Sequence, residues 1–463
     1  MTSLDPHIFR AYDIRGKAHT QLTEEGCAAI AQAFGTVLRR RYAMDHPTVA
    51  VGLDARTHGP GFERAVVRGL VAAGCNVLRI GATPSPVNYF TICDRHLDGG
   101  IQITASHNPK DDNGLKLQTR HAEAFSGEDL QALRRQIEAG DMIEGNGSTE
   151  EIDALSPYVA LLTERFAGAA QGMRIAVDGG NGIAGPTACR VLKALGATVT
   201  ELFIEPDGTF PNHAADPSKH ATLADLQRAV VSGNLDIGLA FDGDGDRIGI
   251  VDDAGRILTA DETLLLLARD HLSRFPGATV VCTVSNSSTI LSEVTAWGGK
   301  PVMCKVGHSF VEHAMRDNNA LLGGEQSGHF FCGEQYYPYD DALVAGLRML
   351  SILHAAKARL SSLRADLPQV FQAAELRPFC PDDKKTAVVA AATAHFAALY
   401  PVDTLDGARI DFGEGAWAGI RQSNTSPCLS ICIEARSAQK LAAVQKEVLG
   451  YLEGSNDIRW DAH

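Results

Sequence analysis

Apolar runs and helix-like stretches alternate along most of the chain. A short apolar run at residues 49–52 leads into an alanine-rich stretch that ends at Gly74, and a second apolar run follows at residues 75–78. The same order recurs twice, beginning with the apolar runs at residues 174–177 and 279–282. Strands that alternate with helices form right-handed β-α-β crossovers and mostly parallel sheets. The pattern therefore predicts three similar mixed α/β domains with mostly parallel sheets.

The rhythm changes after residue 370. The order there is a helix-like stretch, a glycine-rich hairpin-like segment, a strand-like run and an amphipathic helix, at residues 384–400, 405–420, 428–434 and 439–453. This order is typical of a smaller α+β domain. Glycine-, aspartate- and proline-containing segments mark the linkers, and we predict four domains at residues 1–147, 148–254, 255–368 and 369–463.

The length and charge of the chain limit its class and its partners. A chain of 463 residues exceeds the size at which one hydrophobic core keeps growing, which agrees with several domains. The formal net charge of −14 opposes binding to nucleic acid or to an anionic membrane, because carboxylates repel phosphate at long range. The sequence has no signal-peptide pattern at its N-terminus and no apolar run long enough to span a bilayer. We expect a cytoplasmic protein with a small-molecule partner.

Three aspartates separated by single glycines form a candidate metal site. They are Asp242, Asp244 and Asp246, and Arg247 follows them, with apolar strand-like runs on both sides. Alternate carboxylates on a glycine-containing loop can direct their oxygens to one hard cation. Three carboxylates this close need a metal ion or a nearby cation to stay ionised. An EF-hand loop begins similarly but needs flanking helices, so we predict a different kind of metal site.

A serine loop offers a candidate nucleophile. Ser106 follows an apolar strand-like run and lies beside His107 and Asn108. Ligands of α/β proteins bind at the carboxyl ends of strands, where this hydroxyl is expected to lie. The same residue types also build an ordinary turn, so this motif alone leaves both interpretations open.

Two further loops are suited to a phosphorylated sugar. Glu325 and Ser327 lie on a glycine-rich loop that ends at His329, where the side chains could bind sugar hydroxyls or exchange a proton. The run at residues 421–427 combines a guanidinium, hydroxyls and an amide, which suits phosphate. Either run could also be a polar turn. Because the loops fall in separate predicted domains, we expect a cleft where the domains meet.

A glycine-rich run at residues 180–185 matches the dinucleotide-binding pattern G-x-G-x-x-G and follows a strand-like run. It makes a nicotinamide-dependent dehydrogenase an alternative function. However, Asp178 lies in the turn that would receive the pyrophosphate, and this function gives the three-aspartate loop no role.

Taken together and in this order, the motifs resemble those of the α-D-phosphohexomutase superfamily. The opening run IFRAYDIRG at residues 8–16 resembles its bacterial phosphomannomutase/phosphoglucomutase branch. The resemblance implies four domains around a central cleft and an intramolecular phosphotransferase. Such an enzyme would interconvert hexose 6-phosphate and hexose 1-phosphate, with mannose, glucose or both as the sugar. It would use a phosphoserine, one Mg²⁺ per active site, and a hexose 1,6-bisphosphate as intermediate and activator.

The resemblance also implies roles for individual residues. Ser106 would carry the phosphoryl group and would bind Mg²⁺ together with the three aspartates, Asp242, Asp244 and Asp246. The other residues with an implied catalytic role are Arg15, Lys116, Arg247 and His329, of which Lys116 is also a candidate for proton transfer. The residues with an implied role in substrate binding are Tyr12, His308, Glu325, Ser327, Arg421, Ser423, Asn424 and Thr425.

The chain departs from the usual pattern of the branch at three positions. Ser285 and Glu262 stand where the branch usually has a lysine and an arginine, and Gln326 stands where it favours methionine. The run G-E-Q-S-G-H is also familiar from phosphoglucosamine mutases. A phosphoglucosamine mutase and a non-catalytic phosphosugar-binding paralogue are therefore further alternatives. The sequence leaves open the sugar, the general base and the oligomeric state.

Overall fold

The computed structural model of the protein describes residues 4–423 and 426–460. These residues form two compact units. One unit consists of the residues up to Thr263 together with Ser327–Ala365, and the other consists of Leu264–Gln326 together with the residues from Asp366 onward. The polypeptide therefore passes from one unit to the other more than once.

A mixed six-stranded sheet opens the first unit. Its strands are β1 (Ile14–Lys17), β2 (Thr48–Leu53), β3 (Asn76–Ala82), β4 (Gly99–Ile103), β5 (Asp112–Thr119) and β6 (Thr149–Glu151), and its helices are α1 (Glu24–Tyr42), α2 (Gly59–Ala72), α3 (Ser85–Asp94) and α4 (Glu128–Ala139). The strand order is β1-β5-β4-β2-β3-β6. The pairs among β2, β3, β4 and β6 are parallel, whereas β5 is antiparallel to both β1 and β4.

A second mixed sheet follows in the same unit. Its strands are β7 (Arg174–Asp178), β8 (Thr198–Leu202), β9 (Ile237–Phe241), β10 (Ile248–Asp252) and β11 (Ile257–Leu258), and its helices are α5 (Leu155–Arg165), α6 (Ala184–Ala194) and α7 (Ala224–Gly233). The order is β11-β10-β9-β7-β8, with β7 parallel to β8 and β9, and with β10 antiparallel to β9 and β11. The strands β9 and β10 are buried along their whole length, which explains their continuous apolar runs.

Three parallel strands belong to the second unit, which the chain enters within α8 (Ala260–Arg274). They are β12 (Thr279–Thr283), β13 (Lys300–Cys304) and β14 (Leu322–Gly324), accompanied by α9 (Ser288–Ala296) and α10 (His308–Asp317). β12 pairs in parallel with both β13 and β14.

The chain then returns to the first unit as β15 (Phe330–Cys332), α11 (Ala342–Ala356) and α12 (Leu360–Ala365). α11 packs on the second sheet at Gly346, where an added Cβ would lie 3.1 Å from a methyl carbon of Ile248 and 3.5 Å from one of Leu239. The backbone of Arg247 bridges that of His329 just before β15. This bridge fixes the return segment beside the end of the three-aspartate loop.

A wholly antiparallel sheet completes the second unit. Its strands are β16 (Phe371–Gln372), β17 (Val402–Asp403), β18 (Ala408–Asp411), β19 (Trp417–Gln422) and β20 (Leu429–Ala435), and its helices are α13 (Asp382–Ala397) and α14 (Ala438–Leu452). The strand order is β16-β20-β19-β18-β17. The predicted fold class, three α/β domains and a smaller α+β domain, is confirmed. The four domain boundaries stay a prediction.

Glu262 has a structural role at the start of α8. Its backbone N–H donates to Oγ1 of Thr259 at 3.1 Å, and its Oε2 accepts from the backbone N–H of Thr259 at 2.8 Å. This reciprocal pair is a capping box. The Oε1 atom of Glu262 also accepts from Nε of Arg364, in α12, at 2.9 Å. Glu262 therefore stabilises the start of a helix, at a position where the branch usually has an arginine.

Within the described residues, no helix combines the length and the apolar character needed to cross a membrane.

Candidate active site

Ser106 lies after the carboxyl end of β4 and is almost completely buried. Its hydroxyl donates to Oδ2 of Asp242 at 2.7 Å, and its Oγ lies 3.1 Å from Nδ1 of His107. The backbone of Ser106 is left-handed, with a φ of 51°. A Cβ at Gly243 would collide with the carbonyl oxygen of Ser106, so a glycine is needed where the two loops meet. The structure thus brings the predicted nucleophile and the predicted metal loop into contact.

The carboxylates of the three-aspartate loop converge. Asp242, Asp244 and Asp246 are fully buried, and one oxygen from each lies within 4.8 Å of the others. Oδ1 of Asp242 accepts from the backbone N–H groups of Gly245, Asp246 and Arg247 at 2.9, 3.1 and 3.2 Å, which holds this carboxylate in one orientation. The Oδ1 atoms of Asp244 and Asp246 are buried without a hydrogen-bond partner among the described residues. Hard, converging oxygens of this kind fit a divalent cation such as Mg²⁺.

Lys116 supplies positive charge to this cluster from β5. Its Nζ donates to Oδ2 of Asp244 at 2.7 Å and also to Oδ2 of Asp246. Burial lowers the pKa of Lys116, but the two carboxylates outweigh this and hold the pKa well above its usual value. Lys116 is therefore an ammonium in this arrangement. Burial raises the pKa of Asp246, but Lys116 and His329 outweigh that effect and hold it well below its usual value.

Arg15 binds the serine loop from β1. Its Nε donates to Oδ2 of Asp13 at 2.7 Å, and its Nη1 donates to Oδ1 of Asn108 at 3.0 Å and to the carbonyl oxygen of Ala105 at 3.3 Å. Tyr12 is half-buried three positions earlier. The predicted cation Arg15 thus lies beside Ser106.

Arg247 and His329 meet at the backbone bridge described above. Nε of Arg247 donates to Nε2 of His329 at 3.2 Å, and Nδ1 of His329 lies 3.0 Å from Oγ of Ser327. Nε2 also lies 3.4 Å from Oδ1 of Asp246 and 3.6 Å from Oδ2 of Asp340.

Two residues that the sequence did not assign to the site lie in it. His107 is adjacent to the serine hydroxyl, and burial, followed by the charges of Arg247 and Arg15, holds its pKa well below the usual value. Its imidazole is therefore neutral. Ser85, at the start of α3, donates from Oγ to Oδ2 of Asp244 at 2.5 Å and from its backbone N–H to the carbonyl oxygen of Asp244 at 2.9 Å.

The glycine run that matches the dinucleotide pattern packs against the metal loop. A Cβ at Gly182 would lie 2.9 Å from the carbonyl oxygens of Asp242 and Gly243, and the backbone N–H of Ile183 donates to the carbonyl oxygen of Gly243 at 3.1 Å. Oδ1 of Asp178 accepts from the N–H of Gly180 in the same turn, at 2.9 Å. Close backbone packing therefore accounts for these glycines without a dinucleotide.

The remaining predicted residues belong to the second unit. Oε1 of Glu325 accepts from the backbone N–H of Gly307 at 2.7 Å, which places Glu325 next to the start of α10 at His308. Ser285 is buried in the turn after β12, and Arg409 donates from Nη1 to the carbonyl oxygens of the residues on both sides of it, Val284 and Asn286.

The loop after β19 carries the predicted phosphate-binding residues. The Nε atom of Arg421 is buried without a hydrogen-bond partner among the described residues. Oγ of Ser423 accepts from Nη2 of Arg377 at 3.0 Å, and the carbonyl oxygen of Ser423 accepts from Nζ of Lys385 at 2.7 Å. Asn424 and Thr425, which were also predicted to bind substrate, lie outside the described residues.

Comparisons with known proteins agree along the whole chain. Models of the three α/β/α domains and of the C-terminal domain of phosphoglucomutase/phosphomannomutase match residues 6–144, 156–255, 259–371 and 376–450. The chain is 38% identical to the phosphomannomutase/phosphoglucomutase of Pseudomonas aeruginosa, over 96% of this chain and 95% of that protein. It is 36% identical to a phosphoglucomutase of Neisseria meningitidis, over 99% of this chain and 100% of that protein.

A solved structure shows the same similarity in three dimensions. The crystal structure of a phosphoglucomutase/phosphomannomutase family protein from Burkholderia thailandensis matches with a TM-score of 0.91 and 34% identity. The match covers 99% of this chain and 100% of that one.

Proposed function

The chain belongs to the phosphoglucomutase/phosphomannomutase family of phosphohexomutases, and we propose that it transfers a phosphoryl group by way of a phosphoserine at Ser106. The reaction interconverts hexose 6-phosphate and hexose 1-phosphate, with mannose, glucose or both as the sugar. As an intramolecular phosphotransferase, the protein is an isomerase. The observation that carries the proposal is the 2.7 Å hydrogen bond from the hydroxyl of Ser106 to Asp242, in a cluster of three buried carboxylates.

The carboxylates support a requirement for Mg²⁺. Asp242, Asp244 and Asp246 would hold the ion, with an oxygen of the phosphorylated Ser106 as a further ligand. When bound, the ion would stabilise the negative charge that spreads over the transferring phosphoryl group.

Side chains of the protein itself would provide the remaining charge stabilisation and proton transfer. Arg15 and Arg247 add fixed positive charge near Ser106, which suits a reaction whose catalysis is largely positioning and charge stabilisation. The neutral imidazole of His107, whose Nδ1 lies 3.1 Å from Oγ, is a further direct neighbour of the hydroxyl that receives the phosphoryl group. Lys116, held as an ammonium, can donate a proton to a leaving oxygen but cannot accept one in this arrangement.

A single reacting serine implies a bisphosphate intermediate. The phosphoryl group must appear at the far end of the sugar, and in-line geometry excludes direct transfer across the ring. Ser106 would therefore donate its phosphoryl group to form a hexose 1,6-bisphosphate and would recover the other phosphoryl group after the sugar has turned. Added bisphosphate would also prime dephosphorylated enzyme.

The remaining predicted residues carry groups suited to the rest of the substrate. We assign the phosphate that does not react to the loop around Arg421 and Ser423, because the buried Nε of Arg421, which has no hydrogen-bond partner among the described residues, is a donor suited to an anion. Glu325, His308 and Ser327 would bind the sugar hydroxyls.

The alternatives differ in their support. A binding paralogue has no need for a phosphoacceptor beside a complete set of carboxylates, and the glycine run of the dehydrogenase alternative is explained by packing. A coupled assay with mannose 1-phosphate, glucose 1-phosphate and glucosamine 1-phosphate would decide which sugar is the substrate.

The expected cytoplasmic location and the expected lack of nucleic-acid and membrane partners stay predictions.

Intact-mass analysis tests the proposal directly. Purified protein should contain a fraction heavier by one phosphate, and Ser106→Ala should lose both this fraction and nearly all mutase activity while still binding substrate. Ser273→Ala, at an exposed position in α8, is the control and should retain both. Dephosphorylated enzyme should show a lag that glucose 1,6-bisphosphate removes. Normal turnover by Ser106→Ala, or by dephosphorylated enzyme without a lag, would refute the phosphoserine mechanism.

A further inference from the structure

Arg56, just after β2, is a completely buried arginine that binds the backbone of the serine loop. Its Nη2 donates to the carbonyl oxygens of Ser106 and Asn108 at 2.8 and 2.7 Å. Its Nη1 donates to the carbonyl oxygens of Pro109 and Asp112 at 2.7 and 2.8 Å. One guanidinium therefore holds four carbonyl groups of the segment that carries Ser106.

Asp54 extends this network to the amide side of Ser106. Its Oδ2 accepts from Nε of Arg56 at 3.1 Å and from Oγ1 of Thr104 at 2.7 Å. The backbone N–H of Ser106 in turn donates to Oγ1 of Thr104 at 2.8 Å. The N–H and the C=O of Ser106 are therefore both fixed, directly or through one hydroxyl, by the Asp54 and Arg56 pair.

The network acts on a strained residue. A non-glycine residue with a φ of 51° is in a strained conformation, which persists only where its surroundings impose it. At Ser106 the carbonyl oxygen is fixed by Arg56 and confined by Gly243, and this backbone conformation directs the hydroxyl to Asp242. A relaxed loop would keep the serine but lose its alignment with the carboxylates.

The geometry also shows what Arg56 does not do. All five N–H donors of its guanidinium are bonded to protein acceptors, and the ring of Phe210 lies 5.3 Å from the guanidinium carbon. No donor is left for a phosphate. This distinguishes Arg56 from Arg421, whose Nε lacks a partner among the described residues.

We propose that Arg56 is a positioning residue for phosphoryl transfer, which acts through the backbone of residues 106–112 to hold the Ser106 hydroxyl against the metal-binding carboxylates. This inference rests on the proposed role of Ser106 as phosphoacceptor. Lysine cannot replace Arg56 in this role, because an ammonium has three donors and lacks the planar fork that reaches four carbonyls at once.

Arg56→Lys tests the inference. Because a misplacement of about 1 Å can cost about 100-fold in rate, kcat should fall by roughly that factor. KM should change by no more than about twofold, because Arg56 does not touch the substrate. Rapid mixing of the phosphorylated variant with glucose 1-phosphate should show the same loss in the transfer step itself. Hydrogen exchange of residues 104–114 should increase.

A merely structural role is separated by a matched control. Phe34→Leu removes volume from a buried core of the same unit, where Phe34 packs edge-on against Phe125, and should lower the melting temperature without changing kcat. If Arg56→Lys also lowers only the melting temperature, the positioning role is overturned.

A second pair of variants decides the matter if Arg56→Lys does not fold. Thr104→Val removes the hydroxyl between Asp54 and the N–H of Ser106, whereas Thr104→Ser keeps it. We expect kcat to fall by about 10- to 100-fold in the valine variant and to stay within about twofold of wild type in the serine variant. Equal kcat values in the two variants would overturn the inference. Active wild-type protein without phosphate on Ser106 would instead overturn the proposed function.

Discussion

Ser85 is expected to control the magnesium requirement by orienting Asp244, one of the predicted metal ligands. Its hydroxyl donates to Oδ2 of Asp244 at 2.5 Å, and its backbone N–H donates to the carbonyl oxygen of the same residue at 2.9 Å. Nζ of Lys116 donates to the same Oδ2 at 2.7 Å. Ser85→Ala would therefore leave the Asp244 carboxylate oriented by the ammonium alone.

The size of the effect follows from the type of hydrogen bond. A hydrogen bond to a charged group, buried and as short as this one, contributes about 1.5–3 kcal/mol, which corresponds to roughly 10- to 150-fold in an equilibrium constant. Loss of a residue that orients a metal ligand typically lowers metal affinity by about 10- to 100-fold. We therefore expect Ser85→Ala to raise the Mg²⁺ concentration for half-maximal activity by about 10- to 100-fold, with kcat nearly unchanged at saturating Mg²⁺.

The assay is a magnesium titration of mutase activity in a coupled system. Thr91→Val is the matched control, because it removes another buried hydroxyl from α3, one that donates to the carbonyl oxygen of Val87 at 2.6 Å. Its half-activation concentration should equal that of wild type. An unchanged value in Ser85→Ala, or an equal shift in Thr91→Val, would refute the reasoning.

Three further variants test other parts of the structure. Asp244→Asn should reduce activity severely, because an amide lacks the charge that the cation needs, and full activity of wild type after exhaustive chelation would contradict a metal requirement. Arg421→Ala should mainly raise KM, and a fall in kcat alone in steady-state kinetics would show that its role is misassigned. Burial raises the pKa of Asp341 to about 6, so the folded state retains a proton that the unfolded chain loses near pH 4, and stability should fall as pH rises between about 4 and 6. Asp341→Asn should therefore gain stability relative to wild type over that range in thermal melts, and a constant difference would contradict the shift.

Local patterns predicted the parts of the structure that depend on local sequence. The apolar run at residues 174–177 became β7, and the helix-like stretch at residues 439–453 became α14 within one residue at each end. The three aspartates lie within five residues of one another, so their spacing alone brought the carboxylates together. Such features need no knowledge of how the sheets pack.

Long-range contacts could not be predicted in this way. Ser85 and Asp244 are 159 positions apart, and the run T-P-S-P around Ser85 indicates only a helix start. From the sequence alone, Arg56 is an ordinary charged residue after a strand. The residues near it do not predict that it binds four carbonyl groups. Both contacts exist only because segments distant in sequence pack together in the first unit.

Two residue patterns each fit more than one structure. Glu262 looked like a lost cation, although Thr259 and Glu262 have the T-x-x-E spacing of a capping box, which the structure contains. The glycines at residues 180–185 match a dinucleotide loop, and in the structure Gly182 packs closely against the metal loop. In both cases one residue pattern is compatible with two local structures, and only the tertiary packing shows which of them forms.

The return of the chain to the first unit affects how the protein is made. Leu239 and Ile248 leave the ribosome before α11, the helix that packs on them at Gly346, has been translated. Until Ala342–Ala356 emerges, this face of the second sheet lacks its helical cover, and exposed apolar sheet surface promotes aggregation of nascent chains. A polypeptide that terminates before Ala342 would contain every residue of the three-aspartate loop and still be a substrate for chaperones and proteases rather than an enzyme.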